Sequence, residues 1–352
     1  MKAVIDEKIP YLREALAAMG VDVVALPGSA IGNDDLLDAQ ALFVRTRTRC
    51  DAALLSGTAV RFIGTATIGY DHIDTGYCKE NGIVWTNAAG CNAGAVLQYV
   101  QSVIYSWARD NARSVAGLTL GIVGVGEIGS RVATWARSAG MKVLANDPPK
   151  SDAGFEGLVT LNEIAELSDI ITFHPTLNVE GVYKSYHLAD EAFFAALKRC
   201  HLLINASRGP VVDNNALSAA LGNGSVGCAA IDVWENEPEI NLDLLNKVYI
   251  ATPHIAGYSA EGKMNATAIV LNEFARYVGY GVEMPLLELE KPEPMAVDGD
   301  EEQNVLLAIY SPLSDSEMLK SAPETFESLR NNYKLRREPG AYGFVGKCEI
   351  EL

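Results

Sequence analysis

Basic residues are in short supply. Lys plus Arg number 28 against 45 Asp plus Glu, a formal net charge of −17. So acidic a chain offers no general footprint for nucleic acid and no electrostatic hold on anionic lipid. Neither partner is expected, and any anionic ligand needs a local basic cluster. Long apolar runs are missing too: no uninterrupted stretch approaches the ~20 residues of a membrane span. Asp6 and Glu7 fall where a secretory leader would be apolar. The six cysteines, at 50, 78, 91, 200, 228 and 348, form no C-x-x-C. That disfavours a zinc or redox centre, so no metal is expected, and suits reduced thiols in a cytoplasmic protein.

What is present is an alternation of short apolar runs with helical stretches. At 352 residues the chain has room for two or three domains. Lys2–Ile5, Val21–Ala25, Ala41–Val44, Phe62–Ile63 and Ile83–Trp85 read as strands of βαβ units and a mainly parallel sheet. A long helix is predicted over about 93–114, with Val96, Val100, Val103 and Trp107 at spacings of three and four. A second series starts at Leu118. Its strands are Thr119–Val123, Lys142–Ala145, Ile170–Phe173, Leu202–Ile204, Gly227–Ile231 and Val248–Ile250. Six strands with helices between them is the content of a doubly wound dinucleotide fold. Another long helix follows, over about 261–278. Residues 283–302 are rich in acids and proline and read as an exposed linker. Beyond them Val305–Ile309 and Ala341–Val345 are expected as strands around a helix near 323–333. About 50 residues make a marginal core, so this segment should pack on the body or on a partner subunit.

Gly121-Ile122-Val123-Gly124-Val125-Gly126-Glu127-Ile128-Gly129 sets Gly-x-Gly-x-x-Gly between a strand and a helix. Gly124 permits the tight turn, Gly126 lets backbone approach a pyrophosphate, and Gly129 allows close helix–strand packing. The free N–H groups at the start of the helix, at Glu127 and Ile128, face the anion. Asp147, at the end of the next strand, could accept from both adenosine ribose hydroxyls. It would repel a 2′-phosphate, so NAD is favoured over NADP, although Lys150 is close by.

Three later strand ends carry polar groups where an open α/β sheet places its ligands: Asn205-Ala206-Ser207-Arg208-Gly209, Asp232-Val233-Trp234-Glu235-Asn236-Glu237-Pro238 and Thr252-Pro253-His254-Ile255-Ala256-Gly257-Tyr258. Oxidising a hydroxy acid needs a cation for the carboxylate, a base for the hydroxyl proton and a hydride acceptor. Arg208 can grip a carboxylate with two parallel hydrogen bonds. His254 can take the proton, and Glu237 can hold and charge-stabilise the imidazole. NAD supplies the acceptor. Trp234 is expected to pack beneath this crevice.

These residues resemble the D-2-hydroxyacid dehydrogenase family over roughly residues 1–280, with Arg208, Glu237 and His254 at its catalytic positions. One branch of the family is matched more closely through Gly64-Thr65-Ala66-Thr67-Ile68-Gly69-Tyr70-Asp71-His72-Ile73-Asp74, Gly90-Cys91-Asn92-Ala93, Tyr186-His187-Leu188-Ala189-Asp190-Glu191 and the C-terminal Phe326-Glu327-Ser328-Leu329-Arg330-Asn331-Asn332-Tyr333-Lys334-Leu335-Arg336-Arg337-Glu338. The resemblance implies an α/β chain of two doubly wound parallel-sheet domains, one flavodoxin-like for substrate (1–92 and 258–280) and one Rossmann for NAD (93–257). An acidic linker (281–302) and a small α+β dimerisation domain (303–352) complete a homodimer. It implies NAD-dependent oxidation of a small phosphorylated 2-hydroxy acid.

The resemblance also puts Thr46, Thr67 and Tyr258 at the substrate. Ala206, Ser207 and the Arg208 backbone, Asp232 and Gly257 would stand at the nicotinamide, with Asp232 accepting from its carboxamide. The family commonly reads His-x-Pro after the third strand of the cofactor domain. Here it is His174-Pro175-Thr176, which places that cofactor contact at Pro175 or Thr176. Thr46 stands where close relatives have Ser, and the hydroxyl is kept. For the phosphate, Arg45, Arg47 and Arg49 alternate along an expected strand end, and Arg45 or Arg47 should lie near it. Arg336 or Arg337 of a partner subunit is a further candidate. His72 could touch substrate or be structural; His187 and His201 read as structural. The competing readings are another D-2-hydroxyacid dehydrogenase, such as one acting on 3-phosphoglycerate, and a NAD-sensing binding protein.

Overall fold

A computed structural model describes residues 1–281, 289–293, 295–296, 302–342 and 344–345. The chain divides into two compact units, Met1–Asn92 with Ser259–Lys291, and Ala93–Tyr258 with Pro292–Leu352. The expected linker, 281–302, falls largely outside the described residues.

The first unit is a five-stranded parallel sheet: β1 (Lys2–Asp6), β2 (Asp22–Leu26), β3 (Ala41–Val44), β4 (Phe62–Thr65) and β5 (Val84–Asn87), in the order β2-β1-β3-β4-β5. Strands β3 and β4 are buried along their whole length, and β3 accordingly reads as an unbroken apolar run. The later helix Ala260–Tyr277 returns to this unit. Its start is set by Ser259, whose hydroxyl accepts from Gly262 N at 2.8 Å. It lays Phe274 against Phe43 and Phe62, with ring centroids 5.3 and 5.2 Å apart.

The second unit holds β6 (Thr119–Val123), β7 (Lys142–Asn146), β8 (Ile170–Phe173), β9 (Cys200–Asn205), β10 (Val226–Ile231) and β11 (Ile250–Ala251), all parallel, in the order β11-β10-β9-β8-β6-β7. Beside β7, Val159 N in the following loop donates to Ala145 O at 2.8 Å. The order reverses between β6 and β8. The chain leaves both strands side by side there, and such a switch point opens a ligand crevice at the carboxyl ends.

The helix Ala93–Asp110 is buried nearly all round, not on one face, and its polar Gln98, Ser102 and Ser106 are buried as well. The C-terminal segment explains this. Val305–Ile309, expected as a strand, lies in the helix Glu302–Ile309, and its Leu306 joins the core built by Val103, Ile104 and Trp107. Glu302 accepts from Tyr105 Oη at 2.8 Å and from Trp135 Nε1 at 3.1 Å. Leu319 and Phe326, farther on, are fully buried in the other core of the same unit, with Phe193, Leu244 and Trp234. The segment therefore shares both hydrophobic cores of the second unit. The apolar run Val305–Ile309 has the composition of a strand, but only Val305 and Leu306 of it are buried, on one face of the helix. The strand expected over 341–345 is found only at Phe344–Val345, paired in parallel with Met295–Ala296.

Candidate active site

The glycine-rich turn joins β6 to the helix Glu127–Ser138. Gly124 has φ 88°, and a side chain there would meet the backbone of His174–Pro175 at 2.6–2.8 Å. Only glycine lets the loops after β6 and β8 touch. A Cβ on Gly129 would strike Gly124 O, whereas nothing lies within 4 Å of one on Gly126. Close packing below and open space above the helix N-terminus fit a dinucleotide pyrophosphate. Asp147 borders the same turn: its Oδ2 accepts from Val125 N at 2.8 Å and its Oδ1 from Lys150 N at 3.1 Å. Lys150 Nζ donates to Val125 O at 2.5 Å, so the lysine is tied to the turn. The family departure at 174–176 has a physical counterpart. His174 turns inward, with Nε2 2.9 Å from Thr172 Oγ1, and burial pushes its pKa down to about 3. Pro175 is left against Gly124, and Thr176 is exposed.

Arg208 leaves β9 half-buried, and its Nη1 donates to Ser207 O at 2.8 Å. A Cβ on the following Gly209 would fall 1.9 Å from Trp234 O. The absence of that atom lets the Arg208 turn press on the loop after β10, which carries Glu237. Trp234 is buried beneath, with Nε1 donating to Thr252 O at 3.0 Å. Ala206 and Ser207 are nearly buried, and Ser207 Oγ donates to Asn205 Oδ1 at 2.9 Å.

His254 stands after β11 with φ 57°, in the left-handed region that costs a non-glycine residue energy. Two bonds hold it there. Its N–H donates to Asp232 O at 2.8 Å, and its Nδ1 lies 2.7 Å from Glu237 Oε2. With the Nδ1 proton given to a carboxylate, Nε2 is the nitrogen left to accept a proton. Burial alone would raise the Glu237 carboxyl. The His254 bond and charge, the Trp234 N–H at 2.9 Å and the Arg330 charge outweigh it and hold the group below the usual range. Its ionised form therefore favours the fold. That contribution is complete above the ordinary carboxylate pKa and is lost as pH falls through the depressed folded value. Glu237→Gln should lower stability by about 1–2 kcal/mol at neutral pH, and the gap should close below about pH 4. Thermal melts of both proteins across that range check this.

Asp232 was expected at the nicotinamide carboxamide. Here it is 1% exposed and anchors its own chain. Oδ1 accepts from Thr252 Oγ1 at 2.6 Å and Ile255 N at 2.8 Å, and Oδ2 from Ala256 N at 3.0 Å. Burial raises its pKa, against those bonds and the His254 charge. Gly257 and Tyr258 follow on the same loop.

Sequence reasoning missed two contributors to this loop. Arg336 is nearly buried, and its guanidinium donates to the carbonyls of Ile255 (2.9 Å), Ala256 and Ala95 (2.9 Å) and to Gln98 Oε1 (3.0 Å). It serves its own chain as a clamp, which corrects its reading as a partner's phosphate ligand. Arg330 Nε donates to Tyr258 Oη at 3.2 Å, with Nη1 3.6 Å from Glu237 Oε2. Nothing in the spacing of the C-terminal segment announces either contact.

The first unit carries the other candidates. β3 ends at Val44, and residues 45–48 form a turn, so the alternating arginines do not share a strand face. Arg45 pairs with the fully buried Asp6, Nε to Oδ2 at 2.9 Å, because a buried carboxylate needs a cation. The Arg45 side chain, held by Asp6, stays 27% exposed. Arg49 pairs with Asp51 at 2.9 Å. Thr46 and Arg47 are exposed in the turn. Thr67 Oγ1 donates to Gly69 O at 2.9 Å and lies 2.7 Å from Thr65 Oγ1, which is itself 3.0 Å from His72 Nε2. His72 thus supports the threonine pair, and burial lowers its pKa against the Asp71 charge. In the second unit His187 bridges Glu235 and Asp213 at 2.6 and 3.4 Å, and His201 stacks on Trp107.

Residues 93–256 match the model of the D-isomer specific 2-hydroxyacid dehydrogenase NAD binding domain. The D-lactate dehydrogenase of Aquifex aeolicus, solved with NAD and lactic acid, is 26% identical, with a TM-score of 0.62 over 79% of this chain and 96% of that one. The TT0316 protein of Thermus thermophilus, also 26% identical, gives 0.66 over 79% and 97%. The chain belongs to the D-isomer specific 2-hydroxyacid dehydrogenase family, the NAD-dependent enzymes that its motifs resemble. It is 48% identical to the erythronate-4-phosphate dehydrogenase of Bacteroides thetaiotaomicron, over 98% of this chain and 99% of that one. To the erythronate-4-phosphate dehydrogenase of Escherichia coli O157:H7 it is 41% identical, over 96% and 92%. Among the described residues no helix is long and apolar enough to cross a membrane.

Proposed function

We propose that the protein oxidises C2 of 4-phospho-D-erythronate to (3R)-3-hydroxy-2-oxo-4-phosphobutanoate, a step toward pyridoxal 5′-phosphate (vitamin B6). The observation that carries the reading is the His254–Glu237 pair, 2.7 Å apart, in the unit that bears the glycine-rich turn. The near-full-length likeness to erythronate-4-phosphate dehydrogenases supports the substrate.

Arg208 binds the substrate carboxylate through its planar guanidinium. His254 Nε2 takes the C2 hydroxyl proton, and Glu237 balances the imidazolium that forms. Gly124, Gly126, Gly129 and the N–H groups of the following turn hold the pyrophosphate of NAD, Asp147 its adenosine ribose, and Pro175 or Thr176, Ala206–Arg208 and Gly257 its other half. Bound NAD supplies the acceptor for the C2 hydride. Asp232 is assigned to the nicotinamide carboxamide, and its carboxylate also fixes the 255–256 backbone. Thr46, Thr67 and Tyr258 are assigned to substrate hydroxyls and Arg47 to its phosphate. A homodimer through the C-terminal segment is part of this reading. Met318 and Leu335, exposed on that segment, give it apolar surface to bury. A cytoplasmic site of action suits cysteines 50, 78, 200 and 228, which form no disulfide.

The test is NADH formation followed by absorbance, with 4-phospho-D-erythronate, 3-phosphoglycerate and D-lactate offered in parallel. A 2-oxo acid acceptor is included so that bound NADH can turn over. Strong preference for 4-phospho-D-erythronate is expected, and Arg47→Glu should raise KM for this phosphorylated acid much more than for an unphosphorylated analogue. Preference for either other acid would keep the chemistry and discard the substrate.

A further inference from the structure

We propose that Arg330, carried by the C-terminal segment, is a positioning residue of the dehydrogenase site: its guanidinium steadies Glu237 and Tyr258 and sets the pH at which His254 can act as base. The proposal rests on His254 being the base.

The placement is built, not incidental. Arg330 sits on the short helix Phe326–Asn331, one turn after Phe326, and residues four apart share a helix face. Phe326 is 1% exposed in the core of the second unit, so the helix is nailed down and the arginine with it. From there the side chain reaches two groups of the site. Nε donates to the Tyr258 hydroxyl at 3.2 Å, and Nη1 stands 3.6 Å from Glu237 Oε2. That oxygen is the one paired with His254 Nδ1 at 2.7 Å. Arg330 and His254 therefore compete for one carboxylate oxygen in a poorly hydrated place, where the side chains of Arg330 and Glu237 are only 23% and 17% exposed.

The sign of the effect follows from the charges around the pair. Glu237 and, behind it, Asp232 favour a protonated His254. Arg330 opposes it by drawing on the same carboxylate. Arg336 opposes it from below, through the carbonyls of Ile255 and Ala256. Arg208, one strand end away, is a third cation. Glu327, on the helix of Arg330, Asp315, which accepts from Tyr310 and Tyr333, and Glu235, on the loop of Glu237 and held by His187, are further acids. Tyr99, Tyr310 and Tyr333 stay neutral, since burial raises each. Oxidation needs neutral His254, so its rate falls on the acid side as the imidazole gains a proton. Without the Arg330 charge the imidazole holds that proton to higher pH.

Arg330→Gln should move the acid limb of kcat/KM for oxidation upward by about half to one pH unit. Arg330→Lys, which keeps the charge, should stay near the wild type. Arg330→Met replaces Gln if the latter melts below the assay temperature. The His254 imidazole resonance, assigned by its loss in His254→Gln, should titrate with the same shift in the free protein. That second readout does not depend on which hydroxy acid is the substrate, so failure of the substrate assignment and failure of this proposal are told apart. An unmoved limb and resonance in a folded neutral variant would overturn the proposal. So would an equal shift in Arg330→Lys, since geometry and not charge would then be at work.

Discussion

His254→Gln protein should bind NAD as the wild type does and turn over about 10²–10⁴ times more slowly. The reason lies in the two ends of one ring. Glu237 takes the Nδ1 side at 2.7 Å, so only Nε2 remains to receive the hydroxyl proton. A glutamine can still reach Glu237 with its amide N–H, which keeps the loop, but its other end has no basicity at neutral pH. The backbone adds a control. At φ 57° a side chain is tolerated best when it is Asn or Asp. His254→Asn should therefore be as inactive as Gln while melting closer to the wild type. Single-turnover NADH formation, with NAD affinity measured separately, checks both. Turnover within about tenfold of the wild type in either variant would remove His254 as the base.

Arg208→Lys should cost nearly as much, but in a different constant. The guanidinium is oriented by one bond to Ser207 O, which leaves the rest of its fork to meet a carboxylate in parallel. An ammonium offers a point charge without that fork, so charge is conserved and geometry is not. We expect kcat/KM to fall by roughly 10²–10³, from about 3–4 kcal/mol of lost charge-assisted contact, mainly through KM for the acid. KM for NAD should hardly move. Initial-rate kinetics with each substrate varied in turn separates the two. An effect confined to NAD would mean that Arg208 serves the cofactor through more than its backbone.

Much of this architecture was legible in the sequence because parallel α/β folds write plainly. β3, β6 and β8 are short apolar runs whose limits fall at Ala41–Val44, Thr119–Val123 and Ile170–Phe173, as read from the residues alone. Both faces of such strands are buried, so burial leaves no ambiguity of phase. The glycine-rich turn was legible because its glycines answer to local geometry. The arginine series at 45–49 misled for the opposite reason. A period of two has meaning only inside a strand, and β3 stops at Val44. What pulls Arg45 aside is Asp6, 39 residues earlier, and no local pattern encodes a partner at that distance. The helix Glu302–Ile309 and the contacts of Arg330 and Arg336 failed in the same way. Their residues are chosen for surfaces contributed by residues far away in the chain, such as Leu306 against Trp107 or Arg336 on Ile255.

Arg336 has a consequence for when the enzyme can begin to work. The carbonyls of Ile255 and Ala256 flank the base, and the cation that binds them follows them by 81 and 80 residues in the chain. On a growing chain the glycine-rich turn, Arg208, Glu237 and His254 all emerge earlier, with that backbone still unclamped. Maturation of the site is thereby coupled to synthesis of the segment that carries Arg336. A chain that stalls or is cut short after the catalytic residues would carry every reactive group and still lack the fastening that orders them.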